Sequence, residues 1–291
     1  MFIVESTKRY LKRRLITAAR VMLKHAADTR IVQLSLMQNY RRLAETGHLP
    51  GFRDVGFRQF SQHDEDGILL FIFSVIGTTN RTCVEICAGD GTECNATNLI
   101  LNHGWWAALF DGDKNNVRRG CEFFASHPDT RLLPPMFTTA WVTAENVNDL
   151  IADCGMKGEI DLLSLDVDGV DYWLWKAIDV IAPHVVVCEY HNPIPPNLAL
   201  TVPYDPDFRI ASYKDDFRSA SLLAMTKLSR SKGYRLVGVN RYGFNAFFIK
   251  KGIAEDLLPE VTPEACASDP YTLEAQRTRW PRVKNKGWVS V

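Results

Sequence analysis

From residue 64 onward, stretches whose apolar positions recur at helical spacing alternate with short, nearly unbroken apolar runs of the strand type. The pattern predicts helices over 64–76, 96–103, 115–125, 144–154 and 172–181, with strands over 82–87, 105–110, 132–139, 160–165 and 185–188. Crossovers of this length between strands demand a parallel sheet with helices on both faces. The end of the chain breaks the rhythm. A long loop from 191 to 216 leads to a helix over 218–232. Strands over 234–239 and 245–249 follow, separated only by the turn Asn240-Arg241-Tyr242-Gly243. So short a connection closes an antiparallel pair. The expected fold class is therefore α/β, a mostly parallel sheet ending in an antiparallel hairpin.

The first sixty residues read differently. Leu11, Leu15, Ala19, Met22, Leu23 and Ala26 fall at helical spacing, and Lys8, Arg9, Lys12, Arg13 and Arg14 crowd beside them. A second helical stretch covers about 31–44. Residues 1–50 hold ten Lys and Arg against three Asp and Glu, although the whole chain balances at 34 of each. Such a helix suits an anionic membrane surface or a partner helix. The plainer expectation, adopted here, is an extension packed on the main domain with its arginines solvated. Three segments are expected: a basic helical extension over 1–60, the main domain over 61–252 and a C-terminal extension over 253–291.

The overall charge balance excludes a global field for nucleic acid. A chain of 291 residues with 46% hydrophobic and 11% aromatic content can bury a large core. Its seven cysteines (83, 87, 94, 121, 154, 188 and 266) show no Cys-x-x-Cys pairing, and an odd, scattered set suits a reducing compartment. No apolar run approaches about eighteen residues, and no signal-peptide core opens the chain. The expected location is cytoplasmic, at most peripheral at the inner face of a membrane.

Residues 83–91, Cys-Val-Glu-Ile-Cys-Ala-Gly-Asp-Gly, carry the chemistry. A strand ends in a glycine turn, and some twenty residues on a second strand leads to Asp111. Such a unit positions an adenosine-type ligand at the carboxyl edge of a parallel sheet, with the second acid on the ribose hydroxyls. A dinucleotide turn would need Gly-x-Gly-x-x-Gly to seat a pyrophosphate. Here the turn reads Ala88-Gly89-Asp90-Gly91-Thr92-Glu93, without the third glycine and with two carboxylates. An anion there opposes a diphosphate by roughly a kcal/mol or more per charge. S-adenosylmethionine has no phosphate and carries a sulfonium and an ammonium, so the acids suit it.

Three segments together resemble a known family. Ser61-Gln62-His63-Asp64-Glu65-Asp66-Gly67 is similar to the Ser-Gln-x-x-Glu-Asp opening of FkbM-like methyltransferases. Val84-Glu85-Ile86-Cys87-Ala88-Gly89-Asp90-Gly91, followed by Glu93-Cys94-Asn95 and Gly104-Trp105, resembles their first cofactor motif. Asp161-Leu162-Leu163-Ser164-Leu165-Asp166-Val167-Asp168-Gly169 resembles their fourth-strand motif. The likeness spans about residues 60–250, and Cys87 departs from it where a Gly is usual. It implies a Rossmann-like class I methyltransferase sheet and S-adenosylmethionine-dependent methyl transfer, usually to an oxygen of a sugar, glycan or natural product.

Residue by residue, Asp111 is expected on the ribose diol, with a helix N-cap as its plain structural reading. Glu85 and Asp90 are expected near the ammonium and carboxylate end of the methionine moiety, Ala88, Gly89, Gly91 and Asn95 elsewhere in the cofactor site, and Thr139 and Ala140 beside the adenine. Gln62 and Asp66 would close the pocket from the preceding segment. Asp166, Asp168 and Glu189 fall at the ends of two strands expected to be neighbours. They could orient the cofactor, supply the base that deprotonates a hydroxyl acceptor, or hold Mg²⁺, a hard ion that prefers oxygen ligands. His191 is the expected imidazole base, with His63 second. The loop 192–216, rich in Pro and aromatics such as Tyr204 and Phe208, is expected to meet a small-molecule or glycan acceptor. The stretch from Pro259, with Trp280 and Trp288, could lid the site or form a homo-oligomer contact. Two other classes compete. An NAD-dependent nucleotide-sugar oxidoreductase should show a third glycine in the turn, which is missing. A catalytically inactive binding protein of the same fold would show a damaged pocket.

Overall fold

The computed structural model describes residues 29–210 and 216–291. The basic helix expected before residue 27 lies outside the described residues. A helix over 29–46 (α1) opens the described chain, followed by α2 (Phe52–Val55) and α3 (Glu65–Ile76). Strands and helices then alternate: β1 (Thr82–Ile86), α4 (Thr97–His103), β2 (Trp106–Asp111), α5 (Lys114–Ser126), β3 (Met136–Thr139) and α6 (Val147–Asp153). The alternation continues through β4 (Gly158–Leu165), α7 (Asp171–Ala177) and β5 (Ile181–Glu189). After the short β6 (Leu200–Thr201) come α8 (Leu222–Ser231) and the hairpin β7 (Tyr234–Val239) and β8 (Asn245–Lys250). The C-terminal segment holds α9 (Pro263–Cys266), α10 (Pro270–Thr278), α11 (Trp280–Val283) and β9 (Val289–Ser290).

The main sheet runs β3-β2-β1-β4-β5-β8-β7. The first five strands are parallel, β8 is antiparallel to β5, and β7 is antiparallel to β8. This is the expected Rossmann-like α/β fold, a mostly parallel sheet ending in an antiparallel hairpin. Its central strands read as unbroken apolar runs because both faces are covered. In β4 and β5, Leu163 and Val186 face one core with Trp175 and Phe248. Leu162 and Val187 face the other with Phe71 and Phe247. On that second face α1 is tied down: Tyr40 packs edge-on against Phe71, and Gln33 exchanges hydrogen bonds with Asn98. Among the described residues no helix is long and apolar enough to cross a membrane.

Three boundaries move for local reasons. The strand expected from residue 132 begins at Met136, because 127–133 form successive turns that leave Leu132 and Leu133 in solvent. The helix expected to 181 ends at Ala177, and Ile181 already belongs to β5. The helix expected from 218 starts at Leu222, where the Ser221 hydroxyl caps the Ala224 N–H; Ala220 instead bridges to Thr201. The segment after β8 is bound into the body. The buried Arg235 guanidinium donates to the carbonyls of Lys250, Ile253 and Leu258, and β9 pairs with β6.

Candidate functional site

A parallel sheet gathers the carboxyl ends of its strands, and a cleft opens where neighbouring connections diverge. Here β1 and β4 are adjacent, and the loops after β1, β4 and β5 meet. They wall a cavity of about 850 Å³. Its inner wall includes Cys87, Gly89, Asn95, Asp166, Asp168 and Glu189. Gln62 and His63 border it from the segment before α3. A narrower slot adjoins at Cys87 and is lined by Phe110, Asp111, Ala140, Trp141, Val167 and Phe208.

The glycine turn is held by the acids around it. Asp111 accepts the Gly89 N–H at 2.9 Å on one oxygen, and the Asp113 N–H at 2.8 Å and Asn116 Nδ2 at 3.0 Å on the other. It does not cap α5; Asp113 does, through the Asn115 N–H. Gly91 has φ +76°, and a Cβ there would lie 2.7 Å from the Phe124 ring, so no side chain fits. Cys87 holds φ +70° without being glycine and exposes its thiol to the cavity.

Two expected ligand acids are turned elsewhere. Glu85 is buried and accepts the Asn95 and Ala96 N–H groups at 2.8 and 2.7 Å. It satisfies backbone donors at the start of α4 and does not line the cavity. Asp90 accepts Thr92 N–H and faces Arg119 at 3.2 Å, outside the lining. Glu93 does line the cavity but pairs with Arg58. The acid excess at the turn is thus partly neutralised, and the cavity's negative charge comes from the ends of β4 and β5. Asp66 is likewise structural: it collects the N–H groups of Gln59, Phe60 and Ser61 at 2.6–2.7 Å and so poises Gln62 and His63. Thr139 ends β3 opposite Asp111 but stays outside the slot that Ala140 borders.

Asp166, Asp168 and Glu189 converge, with one oxygen of each within 4.8 Å of the others. Asp168 sits at φ +55° and is held by Arg218 at 2.6 Å; Glu189 accepts the Ser219 hydroxyl at 3.0 Å. Burial, then Asp171 and Asp168, pushes the Asp166 carboxyl well above its usual range. Burial and then Asp166 do the same to Glu189. Asp171 completes the arrangement by accepting the Val167 and Gly169 N–H groups, which fixes the loop carrying Asp168. Carboxylates gathered around one arginine favour a second cation.

His191 is not part of this convergence. It is 3% exposed, stacks against Trp288 and lies off the cavity lining; burial, then Arg218 and Arg279, lowers its pKa to about 3. The ring thus stands outside the lining of the larger cavity. The imidazole that reaches the cavity is His63, stacked on Phe244 at 5.0 Å. The proline-rich loop also differs from expectation. Its Pro206 carbonyl accepts Trp141 Nε1 and Phe208 packs over Gly169 at the slot, while Asp216, at the loop's end, lines the larger cavity. The outer wall of the larger cavity is formed by residues that carry no sequence motif: Phe244, Tyr271, Arg279 and Arg282.

No family model matches the chain, and no curated protein matches it. Solved structures are similar to it at low identity. A S-adenosylmethionine-dependent methyltransferase from Clostridium acetobutylicum ATCC 824 is 11% identical, with a TM-score of 0.41 over 64% of this chain and 91% of that one. The N-terminal domain of EvdMO1 with SAH bound is 13% identical, with a TM-score of 0.44 over 73% and 94%. The glycopeptide N-methyltransferase MtfA complexed with S-adenosyl-L-methionine is 14% identical, with a TM-score of 0.37 over 60% and 84%. Strand order and polarity in the chain itself define its fold.

Proposed function

We propose that this protein transfers a methyl group from S-adenosylmethionine to a hydroxyl of a sugar, glycan or natural product. One observation carries the reading: an acid-walled cavity and an apolar slot meet at the glycine turn after β1, with the Asp111 carboxylate beside their junction. In this reading Ala140, Trp141 and Phe208 enclose the adenine and Asp111 takes the ribose diol. Gly89 and Asn95 border the methionine chain, and Asp166 faces the ammonium. The larger cavity then receives the acceptor beside Asp168, Glu189 and His63.

The acceptor oxygen attacks the methyl carbon, the carbon–sulfur bond breaks toward sulfur, and S-adenosylhomocysteine leaves. The hydroxyl proton must pass to a base within hydrogen-bond reach. Glu189 or Asp166 supplies it, each with its proton affinity raised by burial. The three carboxylates are an all-oxygen donor set of the kind Mg²⁺ accepts, and the ion would lower the acceptor's pKa. Arg218, however, already engages Asp168. We therefore assign the counter-charge to Arg218.

Calorimetry with S-adenosylhomocysteine, S-adenosylmethionine and NAD tests the assignment. Micromolar binding of the first two and none of NAD is expected, with turnover that survives EDTA. Binding of NAD without a response to S-adenosylhomocysteine would overturn it. Turnover abolished by EDTA and restored by Mg²⁺ would reassign the acids as metal ligands.

A further inference from the structure

The larger cavity has ends of opposite character. Its inner end carries Asp166, Asp168 and Glu189. Arg218 sits among these acids, bound to Asp168; toward the C-terminal segment the lining adds Arg279, which is bound to Asp216, and Arg282. Arg282 reaches the cavity with an exposed side chain and, among the described residues, no side-chain ion pair. Among the described residues Arg282 is thus the one guanidinium of the lining without a partner carboxylate.

The rim of Arg279 and Arg282 is framed, not loosely draped. Asp269 caps α10 through the Thr272 N–H at 2.9 Å. Trp288 packs on Phe217 and Trp280 at 4.7 and 5.9 Å, and β9 pairs with β6. Arg282 therefore projects from a fixed turn, which lowers the ordering cost of using it. Beside it the aromatic rings of His63, Phe244 and Tyr271 form a continuous wall, with Phe244 and Tyr271 centroids 5.4 Å apart.

We propose that the acceptor is a ring compound carrying an oxyanion, a carboxylate or a phosphate, and that Arg282 binds that group. The proposal rests on the methyl-transfer reading of the cavity and names its substrate class. Charge fixes the orientation. The inner acids repel an anion, so the oxyanion lies at the arginine rim, the ring lies on the aromatic wall, and a hydroxyl is left toward Glu189 and Asp166. Guanidinium is suited to this duty because its planar fork matches carboxylate and phosphate oxygens. The specificity element comes from the C-terminal segment, beyond the strands that build the cofactor side.

The test is calorimetry on the full-length protein saturated with S-adenosylhomocysteine, titrated at low salt with glucuronate, glucose 1-phosphate, inorganic phosphate and glucose. At least one anion is expected to bind roughly tenfold or more tightly than glucose, the size of one charge-assisted contact. Whichever of glucuronate and the phosphates binds tighter identifies the group. Arg282→Ala should abolish the preference without changing S-adenosylhomocysteine affinity or the melting temperature. If no anion outbinds glucose, or if the preference persists in Arg282→Ala, the proposal is wrong. Loss of S-adenosylhomocysteine binding by the wild-type protein would defeat the methyl-transfer reading instead.

Discussion

Replacing Asp111 with alanine should damage the protein twice, and the two losses can be measured apart. The carboxylate accepts three hydrogen bonds, from Gly89 N–H, Asp113 N–H and Asn116 Nδ2, while only 6% exposed. Hydrogen bonds to a charged group are worth about 1.5–3 kcal/mol each. The two backbone donors lie next to a cavity, so water can replace part of what they lose, and Asn116 can turn outward. The lower value for each backbone donor gives a loss of about 3 kcal/mol. At about 2–4 °C per kcal/mol for a chain of this size class, the ligand-free melting temperature should fall by roughly 6–12 °C. Binding of S-adenosylhomocysteine should weaken by a further 1–3 kcal/mol or so, through loss of the acceptor for the diol. Differential scanning calorimetry without ligand, then titration below the new melting temperature, separates the terms. Asp111→Asn keeps a carbonyl for one side of the contact and should fall between wild type and alanine in both. An unchanged ligand-free melting temperature would show that Asp111 does not hold the turn. An unchanged affinity in a correctly folded variant would show that it does not hold the cofactor.

Two further outcomes follow from buried or strained groups. Asp66 is raised to about 6 by burial, against the opposing pull of the Phe60, Ser61 and Gln59 N–H groups. Its folded pKa lies above the unfolded value near 4, so its contribution to stability is complete below about pH 4 and is lost as pH rises through 6. Unfolding free energy against pH should therefore fall less steeply between pH 4 and 6 in Asp66→Asn than in wild type, by up to about 1 kcal/mol per pH unit; equal slopes would refute the assignment. Cys87→Gly removes a left-handed strain of about 1–2 kcal/mol and adds about 0.5–1 kcal/mol of unfolded-chain freedom. Thermal unfolding should show a neutral to slightly stabilised protein, and a loss above about 1 kcal/mol would contradict that reasoning.

The parts of this fold that could be read from sequence are those set by local period and chain direction. Unbroken apolar runs such as 160–165 and 185–188 marked strands covered on both faces, and the short turn at 240–243 marked the reversal. Because parallel neighbours end at one edge, Asp166, Asp168 and Glu189 could be brought together without coordinates. What escaped depends on packing between distant segments. His191 leaves the same edge as Glu189, yet Trp288, nearly a hundred residues later, stacks on its ring. Glu85 and Asp90 stand in a motif that suggests ligand contacts, but nearby backbone amides, Thr92 and Arg119 take their oxygens. Tyr271, Arg279 and Arg282 carry no periodic or spacing signal; only the anchoring of α10 and α11 brings them to the cavity.

The late position of that wall has a consequence for biosynthesis. The ribosome makes β8, which ends at Lys250, about 30 residues before Arg282, and at roughly 5–20 residues per second this interval lasts some 2–6 seconds. During it the sheet strands exist while the arginine rim does not, and the Arg235 side chain on β7 awaits its carbonyl partners at Ile253 and Leu258. The nascent chain should therefore acquire its nucleoside slot before its acceptor wall. Donor binding would become available first and acceptor selection last.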